Sequence, residues 1–199
     1  MIDQALLTSN SIEWGTPLDL ITQLPPLLLD VCATPGREKA PAYFGPEWDS
    51  IGRYTDKQKR PCVDEVFRYN ALRHAQARPP VAINGLVQDW RAWLWHLNGG
   101  KPGGLGWMNP PFGHGIGAWV ELAARTGAAG SGCNMAVLVP ARTDTKWWHA
   151  HIEPVRKGRA PGALEFLEGR LTFEPGPGFT GKVSSAPFPT ALVTFEGFS

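Results

Sequence analysis

The residues of this chain best placed to do chemistry are Asn109, Pro110, Pro111 and Phe112, inside the stretch GLGWMNPPFGHG at 104–115. Two consecutive prolines fix two backbone φ angles, remove two N–H donors and hold the preceding residue extended. The carbonyls of Asn109 and Pro110 are then left pointing outward with little freedom. An exocyclic amine on a planar ring presents two N–H groups. One carbonyl and one side-chain amide oxygen can accept both, drawing the nitrogen toward a tetrahedral, nucleophilic geometry. An aromatic ring two positions after Pro110 can stack on the amine-bearing ring. Asn109, Pro110 and Phe112 supply these three parts, so the turn can orient an amine for attack without a group of low pKa.

Such a turn needs rigid elements on both sides of it. Residues 105–108 read as a strand leading into the turn. After it, Ile116, Trp119, Val120, Ala123 and Ala124 follow i, i+3, i+4, i+7, i+8 spacing, which predicts a helix. Earlier, Thr16 and Pro17 can start a short helix over LDLITQL, with Thr16 as its cap. The run Leu27, Leu28, Leu29 then ends in Asp30 and a Pro-Gly turn, as a strand buried on both faces does when it reaches a loop. Residues 62–77 carry a helical stripe of Val63, Val66, Phe67 and Ala71, and 90–97 read as a second short helix. Residues 134–139 read as an apolar strand, KWWHAHI as a helix, and 170–173 and 191–195 as two late strands. The sum is an α/β fold in one domain over 1–199, a doubly wound, mostly parallel sheet with an antiparallel C-terminal edge strand. Ligands of such sheets bind beyond the carboxyl ends of the strands, where both DVCATPG and NPPFGHG would lie.

Bulk properties narrow the class. At 43% hydrophobic and 19% charged, the 199 residues suit a globular protein and exclude a disordered one. The net charge of +1 excludes a histone-like wrapper of nucleic acid but leaves room for a local basic patch. Nine tryptophans permit stacking on bases or cofactors without demonstrating it. Cys32, Cys62 and Cys133 are far apart and show no CxxC spacing, so neither a disulfide framework nor a metal site is expected. The first residues lack a basic region followed by an apolar run, and no apolar stretch reaches membrane-spanning length. A cytoplasmic protein with no membrane partner is expected.

The turn resembles the [DNS]PP[YFW] motif of amino-methyltransferases that use S-adenosyl-L-methionine. The likeness extends to EWGTPLDLI, LLLDVCAT, GLVQDW, WMNPPFGHGIGAWV, LVPARTDTKWWH and APFPTALVTF. Together these resemble the phage-type DNA N6-adenine methyltransferase family (Dam-like), over roughly residues 13–196 with an apparent insertion at 50–83. The resemblance implies a Rossmann-like methyltransferase fold and site-specific methylation of adenine in double-stranded DNA, in a bacterial or phage-infected cell. It implies cofactor contacts at Thr16, Pro17, Asp30, Cys32, Ala33 and Asn109, and a catalytic motif of Asn109, Pro110, Pro111 and Phe112. It also implies substrate contacts at Phe112, Arg142, Asp144 and Thr145. Two departures stand out: the usual FxGxG cofactor turn is replaced by CATPG, and Phe112 stands where Tyr is commoner.

Plainer readings of the same residues exist. Asp30 can simply cap a turn, Arg142 and Asp144 can form a surface ion pair, and Trp147 and Trp148 can pack their helix. His149 and His151, two apart, do not share a helix face, which disfavours metal chelation. The same motif also serves enzymes that methylate RNA adenine or protein glutamine, and a DNA-binding module without turnover is a further alternative. Recognition of DNA sequence falls by charge on the 50–83 insertion, with Arg53, Lys57, Lys59, Arg60, Arg68 and Arg73.

Overall fold

A computed structural model describes residues 15–33, 37–44, 81–82, 85–174 and 183–197. Seven strands form one sheet: β1 (Leu29–Asp30), β2 (Ala42–Phe44), β3 (Val81–Ala82), β4 (Gly104–Met108), β5 (Cys133–Pro140), β6 (Gly162–Phe166) and β7 (Thr190–Glu196). Their order is β3-β2-β1-β4-β5-β7-β6. β7 alone is reversed, antiparallel to both β5 and β6. The reversed strand therefore lies one place in from the edge, not at the edge as expected, and β6 forms the margin.

The partner of β7 is also corrected. Residues 170–173 are not a strand of the sheet; 162–166 are. Leu171 and Phe173 alternate because they turn inward against one face of the sheet, where Phe173 is buried. Their backbone pairs elsewhere, with Leu171 accepting from Ala186 and Glu174 bridging to Gly15. β6 escaped notice because an edge strand with mostly exposed residues carries little apolar alternation.

Four helices accompany the sheet: α1 (Leu18–Ile21), α2 (Trp90–Leu97), α3 (Ile116–Thr126) and α4 (Glu153–Arg156), the last preceded by a π-helical turn at Trp148–Ile152. Asp89 caps α2 by accepting the N–H groups of Arg91 and Ala92. In α3 the expected stripe is buried at Ile116, Val120 and Ala123, with Trp119 and Ala124 half-buried beside it. Full burial of Val120 stabilises by roughly 1.5–3 kcal/mol; Val120→Asp would put an unpaired charge there and unseat the helix.

The two faces of the sheet follow its period-2 alternation. One face carries Met108, Met135, Val137 and Val193 against Leu94 of α2, Val120 of α3 and Ile152 of the π turn. The other carries Trp107, Ala136 and Leu138 against Leu20 of α1, Phe173 and Ala186. Among the described residues, α2, α3 and α4 thus gather on the first face, and irregular segments plus α1 cover the second. Only 11 residues separate β1 from β2, too few for the usual helical crossover. No helix among the described residues is long and apolar enough to cross a membrane.

β2 and β3 fall where no strand was expected. β3 also trims the supposed insertion, because Val81 and Ala82 belong to the sheet. The helix expected over 62–77 and the basic residues Arg53 to Arg73 lie outside the described residues.

Candidate active site

β1, β4 and β5 run parallel, so Asp30, Met108 and Pro140 end at one edge of the sheet. From β1 the chain continues to β2 on one side, and from β4 to β5 on the other. The crevice between their ends is the topological switch point of the sheet, the usual ligand position in an open α/β fold. A pocket lies there, and five of its lining residues were singled out by sequence: Thr16, Asp30, Cys32, Ala33 and Asn109.

Asp30 is 3% exposed at the end of β1. Its Oδ1 accepts the Cys32 N–H at 3.2 Å and its Oδ2 accepts the Lys39 N–H at 3.0 Å. These bonds and the Lys39 charge favour the ionised form, yet burial outweighs them and pushes the carboxyl up from 3.8 to about 6. The same burial, reinforced by the charge of Asp30, pushes the Cys32 thiol well above its usual range against the opposing N–H of Asn109. Cys32 is therefore a neutral wall of the pocket and no nucleophile.

Thr16 does not cap α1. Pro17 occupies the cap position with no side-chain hydrogen bond, and the Thr16 hydroxyl, in a residue only 2% exposed, accepts from Asn109 Nδ2 at 3.1 Å. This bond ties the start of the chain to the NPPF turn and sets the direction of the Asn109 amide. With Nδ2 so engaged, Oδ1 is left as an acceptor, and among the described residues no donor reaches it or the Pro110 carbonyl. Pro110 is buried, Pro111 exposed, and Asn109 half-buried. The Phe112 ring stands edge-on to Phe173 at 5.8 Å and to Phe188 at 5.4 Å. The segment APFP thus holds one side of the turn.

The residues expected to meet substrate after β5 are arranged differently. Arg142 and Asp144 are exposed and form no ion pair with each other. Thr145 has a structural job: its hydroxyl donates to the Arg142 carbonyl at 2.8 Å and accepts the Trp148 N–H at 3.4 Å, at the start of the helical turn. Trp148 is buried while His149 is exposed. Among the described residues no group of three or more His, Cys, Asp or Glu side chains is placed to hold a metal.

Sequence reasoning missed Gly15, Arg37, Lys39 and Trp107, which complete the lining. Trp107 was findable, because it lies in the last two residues of β4, two positions before Asn109. Arg37 and Lys39 reach the pocket only because the chain folds back after the Pro-Gly turn, which no local pattern announces. Gly15 exchanges two backbone hydrogen bonds of 2.8 Å with Glu174. A Cβ at Gly15 would lie 3.1 Å from Glu174 Oε2 and 3.2 Å from Arg37 Nη1, so a side chain there would crowd both. Lys39 completes this corner with an ion pair to Glu174 at 3.3 Å.

No family model and no curated protein matches this chain. Among solved structures, that of a precorrin 8W decarboxylase from Methanobacterium thermoautotrophicum aligns with 98% of both chains at 9% identity and a TM-score of 0.40.

Proposed function

We propose that this chain is an S-adenosyl-L-methionine-dependent methyltransferase that acts on the N6 amine of adenine in double-stranded DNA. The observation that carries the reading is the Asn109 amide, oriented by Thr16, at the rim of a pocket at the β1/β4 switch point. Supporting it is the strand order, which follows the 3-2-1-4-5-6 series of doubly wound folds with a reversed strand slotted before the last. The pocket also fits the cofactor's chemistry: it offers cationic and anionic side chains, the broad ring of Trp107, and at Gly15 a space that any side chain would narrow.

When bound, the cofactor supplies an electrophilic methyl group on a sulfonium centre. Everything else falls to the protein. Asn109 Oδ1 and the Pro110 carbonyl accept the two N–H groups of the target amine and turn its lone pair toward the pocket. The same two oxygens stabilise positive charge developing on nitrogen, and the surplus proton then leaves toward solvent. An adenine in a duplex must be flipped out at a cost of a few kcal/mol, which stacking on a ring already held in place by Phe173 and Phe188 helps to offset. Arg142, exposed beyond β5 on the same edge, would meet the DNA backbone, while the neighbouring Asp144 carboxylate, an acceptor only, would suit a donor on a base edge.

The test is transfer of label from methyl-labelled S-adenosyl-L-methionine to unmethylated DNA, RNA and protein offered in parallel. Label in DNA supports the reading. Label in RNA or protein alone keeps the site and changes the acceptor, and binding of DNA with no transfer to any acceptor overturns it in favour of a non-catalytic module.

A further inference from the structure

The Arg37 guanidinium lines the pocket, and its Nη1 is buried with no hydrogen-bond partner among the described residues. A buried donor on a charged group without a partner is costly, and proteins rarely tolerate one without a use. The acids nearby do not satisfy it. Both oxygens of Asp30 accept backbone N–H groups from Cys32 and Lys39. Glu174 Oε2 is taken by the Lys39 ammonium. The glycine at 15 keeps open the space beside Nη1, since a Cβ there would approach it to 3.2 Å.

From this geometry we infer that Arg37 is the anchor for a ligand carboxylate, and that the pocket reads the amino-acid end of the cofactor as a zwitterion. A guanidinium is the side chain best suited to this, because its planar fork matches a carboxylate. Asp30 also lines the pocket and supplies its negative charge; each of its oxygens holds one backbone N–H and keeps a further lone pair for the α-ammonium of the same ligand. The pocket would therefore discriminate by charge through Arg37 and Asp30, on the same lining as Asn109. This assignment rests on the cofactor reading above and adds to it a residue outside every motif that suggested that reading.

Isothermal titration of the wild-type protein with S-adenosyl-L-methionine and with decarboxylated S-adenosylmethionine tests it. The wild type is expected to bind the carboxylate-bearing ligand about 10- to 100-fold more tightly. Arg37→Met should lose that preference, binding both with the affinity the wild type shows for the decarboxylated ligand. Equal wild-type affinity for the two overturns the assignment while leaving the cofactor reading intact, and it does so even if Arg37→Met fails to fold. Equal weakening of both ligands in a folded Arg37→Met protein also overturns it, as a structural role would predict. Absence of binding by either ligand to the wild type overturns the cofactor reading and this assignment together.

Discussion

The two walls of the carboxyl edge are built in opposite ways. At β1 and β4, Thr16 and Asp30 are almost fully buried, the Asn109 amide is tied to Thr16, and each oxygen of Asp30 holds a backbone N–H. At β5, Arg142 and Asp144 stand exposed with no ion pair between them, and the one engaged side chain, Thr145, serves its own helix. Burial and mutual hydrogen bonding fix geometry, which the proposed methyl transfer would need to fractions of an ångström. An exposed cation such as Arg142 fixes no geometry, but it can follow a phosphate backbone. The first wall is suited to chemistry and the second to contact.

Breaking the first wall should have the largest effects. Asn109→Ala removes the acceptor proposed to hold the target amine, so kcat should fall about 10²- to 10³-fold with cofactor affinity within a few-fold of wild type. Loss of cofactor affinity in parallel with kcat would make the residue structural. Next comes the pH dependence of Asp30. Its folded value of about 6 lies above its unfolded 3.8. The stability it contributes is therefore fully present below about pH 4 and is lost as pH rises through 6. Relative to Asp30→Asn, the wild type should lose about 2 kcal/mol between pH 4 and 7 in urea unfolding. Parallel curves for the two proteins would place the carboxyl at its ordinary value.

Thr16→Val is the finer break. It keeps the shape and deletes the hydroxyl that orients Asn109, so kcat should drop about 10-fold with KM for DNA little changed, and Thr16→Ser should restore most of it. An equal loss in the serine variant would mean that packing, not orientation, is what Thr16 provides. The second wall should respond least. Arg142→Ala should alter stability by less than about 0.5 kcal/mol. Its signature is a rise in KM for DNA and a salt slope smaller by about one. A fall in kcat at saturating DNA would bring the two walls into one and sink the contrast.

How much of this was legible beforehand follows from how local each signal is. β4, α3 and β5 were readable because a buried strand or amphipathic helix writes its period into consecutive residues, as Ile116, Val120 and Ala123 do. Five pocket residues were readable too, since Thr16, Asp30, Cys32, Ala33 and Asn109 sit at or beside element ends that the chain itself marks with Pro or Gly. The two- and three-residue strands β1 to β3 are too short for a period, and only β1 announced itself, through its leucine run. Phe173 misled because inward alternation looks the same whether the partner is a sheet neighbour or the sheet's face. Arg37 and Glu174 were invisible, as their meeting near Gly15 depends on a bridge between segments 159 residues apart. Thr16 was misread as a cap because its partner, Asn109, is likewise remote in sequence.

The most direct measurement is digestion to nucleosides of DNA incubated with methyl-labelled S-adenosyl-L-methionine and either the wild type or Asn109→Ala, each at saturating cofactor. The account predicts label at N6-methyl-2′-deoxyadenosine with the wild type, reduced at least a hundredfold with the variant. Label on another atom, or equal labelling by the two proteins, would contradict it.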